Sequence, residues 1–400
     1  MRHAPWRTRS LVAVGVGLAL VGDACMMDGS PAVHNRATGS RSAPVSSTPP
    51  LSPGSGQDGQ VESIAAMSRP RAAHTATRLS DGRVLVAGGF GTNGGDEAGA
   101  ELFDPRTGQF TPAHPMSVGR QSHTATLLSD GRVLIVGGYD PAGERLPTAE
   151  LYDPETQRFS LTGSMAAARA DHTATLLDDG RVLIVGGTGA GFTFLATAEL
   201  YDPSSEKFVP TGPMSVPRES ATATRLADGR VLVAGGHAGR HEDIHVYATA
   251  ELFDLRTGRF RRVGDMVTPR HKHDAVLLAD GRVLIVGGSD ARDDLGLFDP
   301  AEIFDPATES FLADATLHAA RYKMRGTTVV LADGQALICC GTSQAEVFDP
   351  VSDSFHGIPG SVGDGPLFAA AARVGPQTVL VTGGYSLSGP ATAAAWLIEA

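Results

Sequence analysis

Cysteine is scarce in this chain: three residues in 400, at positions 25, 339 and 340. So few thiols exclude a disulfide framework as the support of the fold. Long apolar runs are missing as well. The apolar stretch near the N-terminus, residues 11–21, counts eleven residues, too short to span a bilayer as a helix. Basic charge is in deficit, with 33 Lys and Arg against 44 Asp and Glu for a formal charge of −11. No basic stripe interleaved with aromatics offsets it, so nucleic acid is a poor partner. There is no G-x-S-x-G elbow, phosphate loop or paired dinucleotide fingerprint, which removes the commonest signatures of acyl transfer and nucleotide chemistry.

What the chain has is glycine, 49 residues of it, with 25 Pro and 42% hydrophobic content. Gly pairs end apolar runs at Gly88-Gly89, Gly137-Gly138, Gly186-Gly187, Gly235-Gly236, Gly287-Gly288 and Gly383-Gly384, with Cys340-Gly341 as the sixth of seven. The second Gly recurs at steps of 49, 49, 49, 52, 53 and 43 residues. A period near fifty in a unit of short strands predicts propeller blades, because one four-stranded sheet cannot cover its own apolar faces and must stack on neighbours.

Within the second copy, residues 123–128 are β-rich, Asp130-Gly131 follows, and Val133-Leu-Ile-Val136 leads to the Gly pair. These are strands A and B. Asp-Gly, repeated at Asp81, Asp179, Asp228, Asp280 and Asp333, predicts a type I′ hairpin with positive φ at both turn positions. Residues 149–152 form strand C, and Asp153-Pro154 opens the turn to strand D at Phe159. The unalternating apolar B strands suit sheets covered on both faces. Helices are excluded by runs that are short, β-branched and bracketed by Gly.

Spacing predicts how the ring closes. The C–D turn Asp precedes the D-strand Phe by six residues in all six full copies, and in the first four that Phe precedes a Met by six and the Met an Arg by four. Val61, Met67 and Arg71 keep those steps with no A, B or C strand before them, while residues 367–398 supply A, B and C with no D after them. The expected fold is all-β: a seven-bladed propeller over residues 59–400, closed by an N-terminal strand that completes the C-terminal blade.

Upstream, Arg2, Arg7 and Arg9 before the apolar stretch predict a signal peptide over residues 1–24. Residues 25–58, dense in Ser, Pro and Gly, predict a flexible linker. Cys25 is a candidate lipid acceptor, although Gly22 and Asp23 depart from the usual lipoprotein pattern; plain cleavage after Ala24 is the alternative. The expected location is extracytoplasmic, secreted or held at the envelope.

The double Gly after four hydrophobic residues, the aromatic in strand C, the aromatic opening strand D and the period near fifty together resemble the kelch-repeat β-propellers, over essentially all of residues 61–400. Strand D carries Phe where kelch repeats usually have Trp. The resemblance implies a scaffold whose members include adhesion modules and galactose-oxidase-like copper enzymes. The oxidases of that group need a Tyr crosslinked to Cys and a Tyr followed by His; this chain has no Tyr-His dipeptide.

Candidate site residues follow from where the copies differ. Nearly all length variation falls between the second Gly and the strand-C Glu, in the B–C loops. In an up-and-down blade these share one face with the D–A connections. Variable loops on a rigid scaffold carry specificity, so the ligand face is assigned there, with His237, His241, His245, Asp290, Asp293, Asp294, Phe192 and Phe194 as candidate contacts. Residues 241–245 spell H-E-x-x-H, but the loop has no room for the helix a zinc protease needs. No cofactor or metal is expected. Arg71, Arg120, Arg169, Arg218, Arg270 and Arg321 match in number the strand-C acids Glu101, Glu150, Glu199, Glu251, Glu302 and Glu346, which predicts a repeated structural ion pair in preference to a cationic rim. Cys339 and Cys340 fall at the positions of Val136 and Gly137, as buried fillers. The expected function is a binding module, monomeric, that presents the B–C face to a protein or glycan partner; the alternative is a sugar oxidase or epimerase working on the same face.

Overall fold

The structure, a computed structural model, describes residues 59–400 apart from Asn93, Gly94 and Asp96. The expected signal peptide and linker, Cys25 included, lie outside the described residues. Seven four-stranded antiparallel sheets form the blades, and each blade's A strand touches the A strands of its two neighbours until the circuit closes. Blade 2 sets the pattern with Thr124–Leu127, Val133–Val136, Ala149–Asp153 and Arg158–Leu161 as strands A to D. In blade 7 the fourth place is taken by Gln60–Ser63, antiparallel to Ala395–Glu399. Deleting residues 59–68 would leave that edge unpaired. The truncated chain is expected to melt lower by on the order of 10 °C, measured by circular dichroism; an unchanged melt would mean the N-terminal strand contributes nothing to closure.

The B strands are buried on both faces because alternate side chains serve different neighbours. In blade 1, Leu85 and Ala87 pack with Val133, Ile135 and Tyr152 of blade 2, whereas Val84 and Val86 pack with Leu380 of blade 7. The aromatic of strand C packs at a tilt against the Phe of strand D directly opposite, with ring centroids 4.9 Å apart for Tyr152 and Phe159.

The A–B turns correct the expectation from Asp-Gly. Only the glycine takes positive φ (88° at Gly131), and Asp130 does not. Gly131 N–H donates to Leu128 O and Leu128 N–H to Arg132 O, which is a three-residue loop, a type I turn followed by a left-handed glycine. The aspartate is there for its side chain: Asp130 Oδ1 accepts from Arg132 N–H at 3.0 Å, an Asx bond repeated in five other blades.

Two backbone hydrogen-bond rings join the blades. In the outer one, the second Gly of each pair donates to a carbonyl in the next blade, that of the repeated Arg in six cases and of Pro366 for Gly341, and Gly384 closes the circuit on Arg71. The glycines are needed there: Gly137 has φ 63°, and a Cβ on it would lie 2.4 Å from Arg169 O. Cys340 occupies the equivalent position with φ 71°. Both Cys339 and Cys340 are fully buried, with Sγ atoms 3.0 Å apart.

Candidate binding site at the channel mouth

The six repeated arginines are among the most deeply buried side chains of the fold. Arg120 Nη2 meets Glu150 Oε1 at 2.8 Å, and its Nη1 donates to the carbonyls of Gly137 and Thr148. Glu150 Oε2 accepts from Ser117 N–H at 2.9 Å. The pairs Arg71–Glu101, Arg169–Glu199, Arg218–Glu251 and Arg270–Glu302 lie at 2.9 to 3.0 Å, and Arg321 pairs with Glu346. Each bracket therefore ties strand C to the D–A connection and offers nothing to a ligand. Blade 7 loses both halves together: Pro366 supplies the carbonyl that the Arg supplies elsewhere, and Trp396 stands at the register of the Glu.

The histidines behind the arginines are also internal. His74, His123, His172 and His273 each hydrogen-bond through Nε2 to a Thr hydroxyl of the preceding blade, at 2.9 to 3.1 Å. Burial holds all four rings neutral, His123 being pushed down to about 3.

Between Arg and His sits the position that sequence reading missed. Ala73, Ser122, Asp171, Ser220, Lys272, Lys323 and Phe368 all take left-handed φ, from 49° to 54°. Each N–H donates to the carbonyl of its counterpart in the preceding blade, at 2.8 to 3.4 Å, and the seven bonds close on themselves around the channel. None is glycine, and a side chain in this conformation costs roughly 1–2 kcal/mol. Their identities vary while the Arg before and the strand after them repeat. That variation at one fixed place in the copies was the available signal.

These residues and their neighbours form a polar cluster drawn from several blades. Asp171 takes hydrogen bonds from Ser122 and Tyr139, and burial together with the nearby charge of Glu219 pushes its carboxyl up to about 6. Glu219 is likewise raised by burial and accepts from Thr188 Oγ1. Opposite, Lys272 Nζ lies 2.7 Å from Asp293 Oδ1, while Lys323 Nζ is 3.0 Å from the Tyr385 hydroxyl. The two-residue addition in blade 6 brings in Arg325, whose guanidinium crosses the channel to the carbonyl of His172 in blade 3. The mouth is thus a floored cup.

Of the candidate contacts, His237, Phe194 and Asp293 join this cup. His237 Nδ1 is 3.1 Å from His271 Nδ1 and its ring lies edge-on to Phe194 at 5.7 Å; burial lowers it to about 4. Phe192 packs between the guanidinium groups of Arg145 and Arg240, 3.7 Å from each. His241 and His245 are exposed, in a 3-10 turn and a two-residue strand, so the H-E-x-x-H run is not helical. The His245 ring lies edge-on to Tyr247. Asp290 serves its own turn, accepting from Arg292, and Asp294 is exposed. No group of three or more His, Cys, Asp or Glu placed to hold a metal ion occurs among the described residues, and no helix there is long and apolar enough to cross a membrane.

On the opposite face, a groove of about 420 Å³ is lined by Asp178, Asp228, Arg230, Asp254, Leu255 and Arg256. Its charges neutralise one another in pairs such as Asp228–Arg230 and Asp254–Arg256.

Comparison with known proteins adds one positive finding. Residues 122–166 match the kelch motif, a span that runs through blade 2 from its A strand into its D–A connection. No curated protein matches the chain. The motif in blade 2, the same strand and turn pattern in the other blades and the seven-bladed ring make this a kelch-repeat β-propeller protein, an architecture that fits a protein-interaction module.

Proposed function

We propose that the protein is an extracytoplasmic interaction module, carried out by residues 1–24, held off its anchor or released by residues 25–58, and docking a protein partner on its B–C face. The observation that carries this is the channel-mouth ring: seven strained, non-glycine positions that vary from blade to blade on a framework that otherwise repeats. Strain kept at such positions is characteristic of sites that place side chains for use. A protein partner is favoured over a glycan by the chemistry of the face. Gln121 and Gln344 are the only carboxamides among the described residues of the B–C and D–A connections, whereas Phe192, Leu295 and Leu387 are exposed and Phe192 lies between Arg145 and Arg240, the mixture of aromatic, aliphatic and Arg groups that anchors protein interfaces.

A photo-crosslinker at Phe192 or Leu295 of the full chain is expected to give a discrete protein adduct in the producing cells. One at Val351, in a C–D turn on the other face, should give none. Shortening loop 237–249 to Gly-Ser is expected to abolish the adduct. Saturable binding on a glycan array with no protein adduct would transfer the site to glycans.

The enzyme alternative is supported by a separate observation, the convergence of Asp171, Glu219, His237 and His271 from blades 3, 4 and 5 on one cup. Two raised carboxyls beside a tyrosine could exchange a proton with a sugar. Deuterium incorporation from heavy water into a panel of aldoses and uronates, lost in Asp171→Asn, would establish it.

A further inference from the structure

Arg145 is 7% exposed, yet its Nε and Nη2 find no hydrogen-bond partner. The repeated arginines leave Nε unpartnered too, but in each of them Nη2 is bonded to a Glu; among the described residues Arg145 is the one arginine with both atoms buried and bare. Nε and Nη2 together form the edge with which a guanidinium grips a carboxylate through two parallel bonds. A buried donor left unmade is costly, and a bare edge of this kind calls for a partner. The guanidinium is held between Tyr139, 4.8 Å from its ring centroid, and Phe192 at 3.7 Å. Arg240 brings a second cation onto the same phenyl ring. Like charges so close repel unless a negative group sits by them, and the nearby Glu219 is engaged with Thr188 in an environment that disfavours its charge. Phe192 itself is 40% exposed and follows Gly191 in a turn where both residues have φ above 60° or at it, 63° and 60°, so relaxing that turn uncovers the arginine.

We infer that the cleft between the B–C loops of blades 2, 3 and 4 binds a carboxylate of the partner protein, an Asp or Glu side chain in an acidic segment, with Arg145 gripping it side-on, Arg240 adding charge and Phe192 folding back over the contact. This rests on the protein-binding function proposed above and names the chemistry the partner must bring.

The test uses the full chain and a fluorescein-labelled hexaglutamate peptide, read by polarisation at low salt. Saturable binding is expected, weakened at least about tenfold by Arg145→Gln, less by Arg145→Lys, which keeps the charge and loses the fork. Glu219→Gln is expected to tighten it by removing a carboxyl that interacts with Arg145. Thermal melts of each variant identify any that fail to fold, in which case Arg240→Gln and Glu219→Gln carry the test. Equal affinity in wild type and Arg145→Gln overturns the inference, as does tighter binding of hexagalacturonate, which would make the anion a uronate. If crosslinks from Leu295 survive in Arg145→Gln with undiminished yield, the face keeps its partner without this carboxylate and only the inference falls. If no adduct forms in the wild type while hexaglutamate is bound through Arg145, the partner-docking function falls and the anion site stands.

Discussion

Glu150→Ala is expected to destabilise the protein by about 3–5 kcal/mol and to lower its melting temperature by roughly 5–10 °C. The guanidinium of Arg120 is fully buried and burial already works against its charge, with Glu150 the group that compensates. Removing that carboxylate strands a cation in the interior and deprives Ser117 N–H of its acceptor. Replacing both partners by apolar residues, as in Arg120→Met with Glu150→Leu, is expected to recover part of the loss, because no charge is then left behind. Full recovery is not expected, since the carbonyls of Gly137 and Thr148 lose a donor. Blade 7 shows that the ring tolerates such a double change, having Pro366 and Trp396 in those places. Thermal melts of the two variants decide it: a single substitution costing no more than the double would mean that Arg120 reaches water in solution.

Acid is expected to weaken the fold steeply below pH 6.5. Six histidines have folded-state pKa values below their unfolded value: His74, His172 and His273 far below, His237 at about 4, and His123 and His271 at about 3. Burial is the leading cause in each. A group whose folded pKa is depressed in this way is neutral in the fold and takes up a proton only on unfolding. Stability is therefore complete above pH 6.5 and falls as pH drops through the window down to each folded pKa, by about 1.4 kcal/mol per unit and per histidine at most. Asp171 acts in the opposite sense. Its carboxyl is raised to about 6, so between there and its ordinary value near 3.8 the folded state holds a proton that the unfolded chain has lost, and lower pH favours folding. Glu219 and Asp274 are raised by burial as well, and the three together are outweighed by the six histidines. A melting temperature lower at pH 5 than at pH 7 by on the order of 10 °C is the expected result, with a shallower dependence in His123→Asn. Coincident melts at the two pH values would show that the rings protonate within the fold.

The charged position at the mouth was written in the chain but could not be read there. Lys272 and Asp171 are single letters between a repeated Arg and a repeated strand, and nothing local says that φ is positive at both or that their backbones bond in a ring. The Asp-Gly turns were misassigned for a related reason. A dipeptide names a hairpin, but whether the aspartate or only the glycine turns left-handed depends on how many residues the strands leave unpaired, and here Ser129 or its counterpart adds the third. The ion-pair bracket was legible, because equal numbers of Arg and Glu at fixed places in a repeat imply that the two meet.

Sequence alone determined the number of blades, the order of strands within each, and the division between a uniform face and a variable one. Periodicity carries that information, since every copy states the same local preferences and stacking is the one way to cover both sides of each sheet. Tertiary structure decided which polar groups are spent on the scaffold and which are left over. Repetition marked Arg120 for its carboxylate thirty residues on, but nothing in the sequence shows that Arg145, in a variable loop, lies buried against rings from its own and the next blade with an edge unmet. Burial and partnership are set by neighbours distant along the chain, and those exist only once the ring has closed.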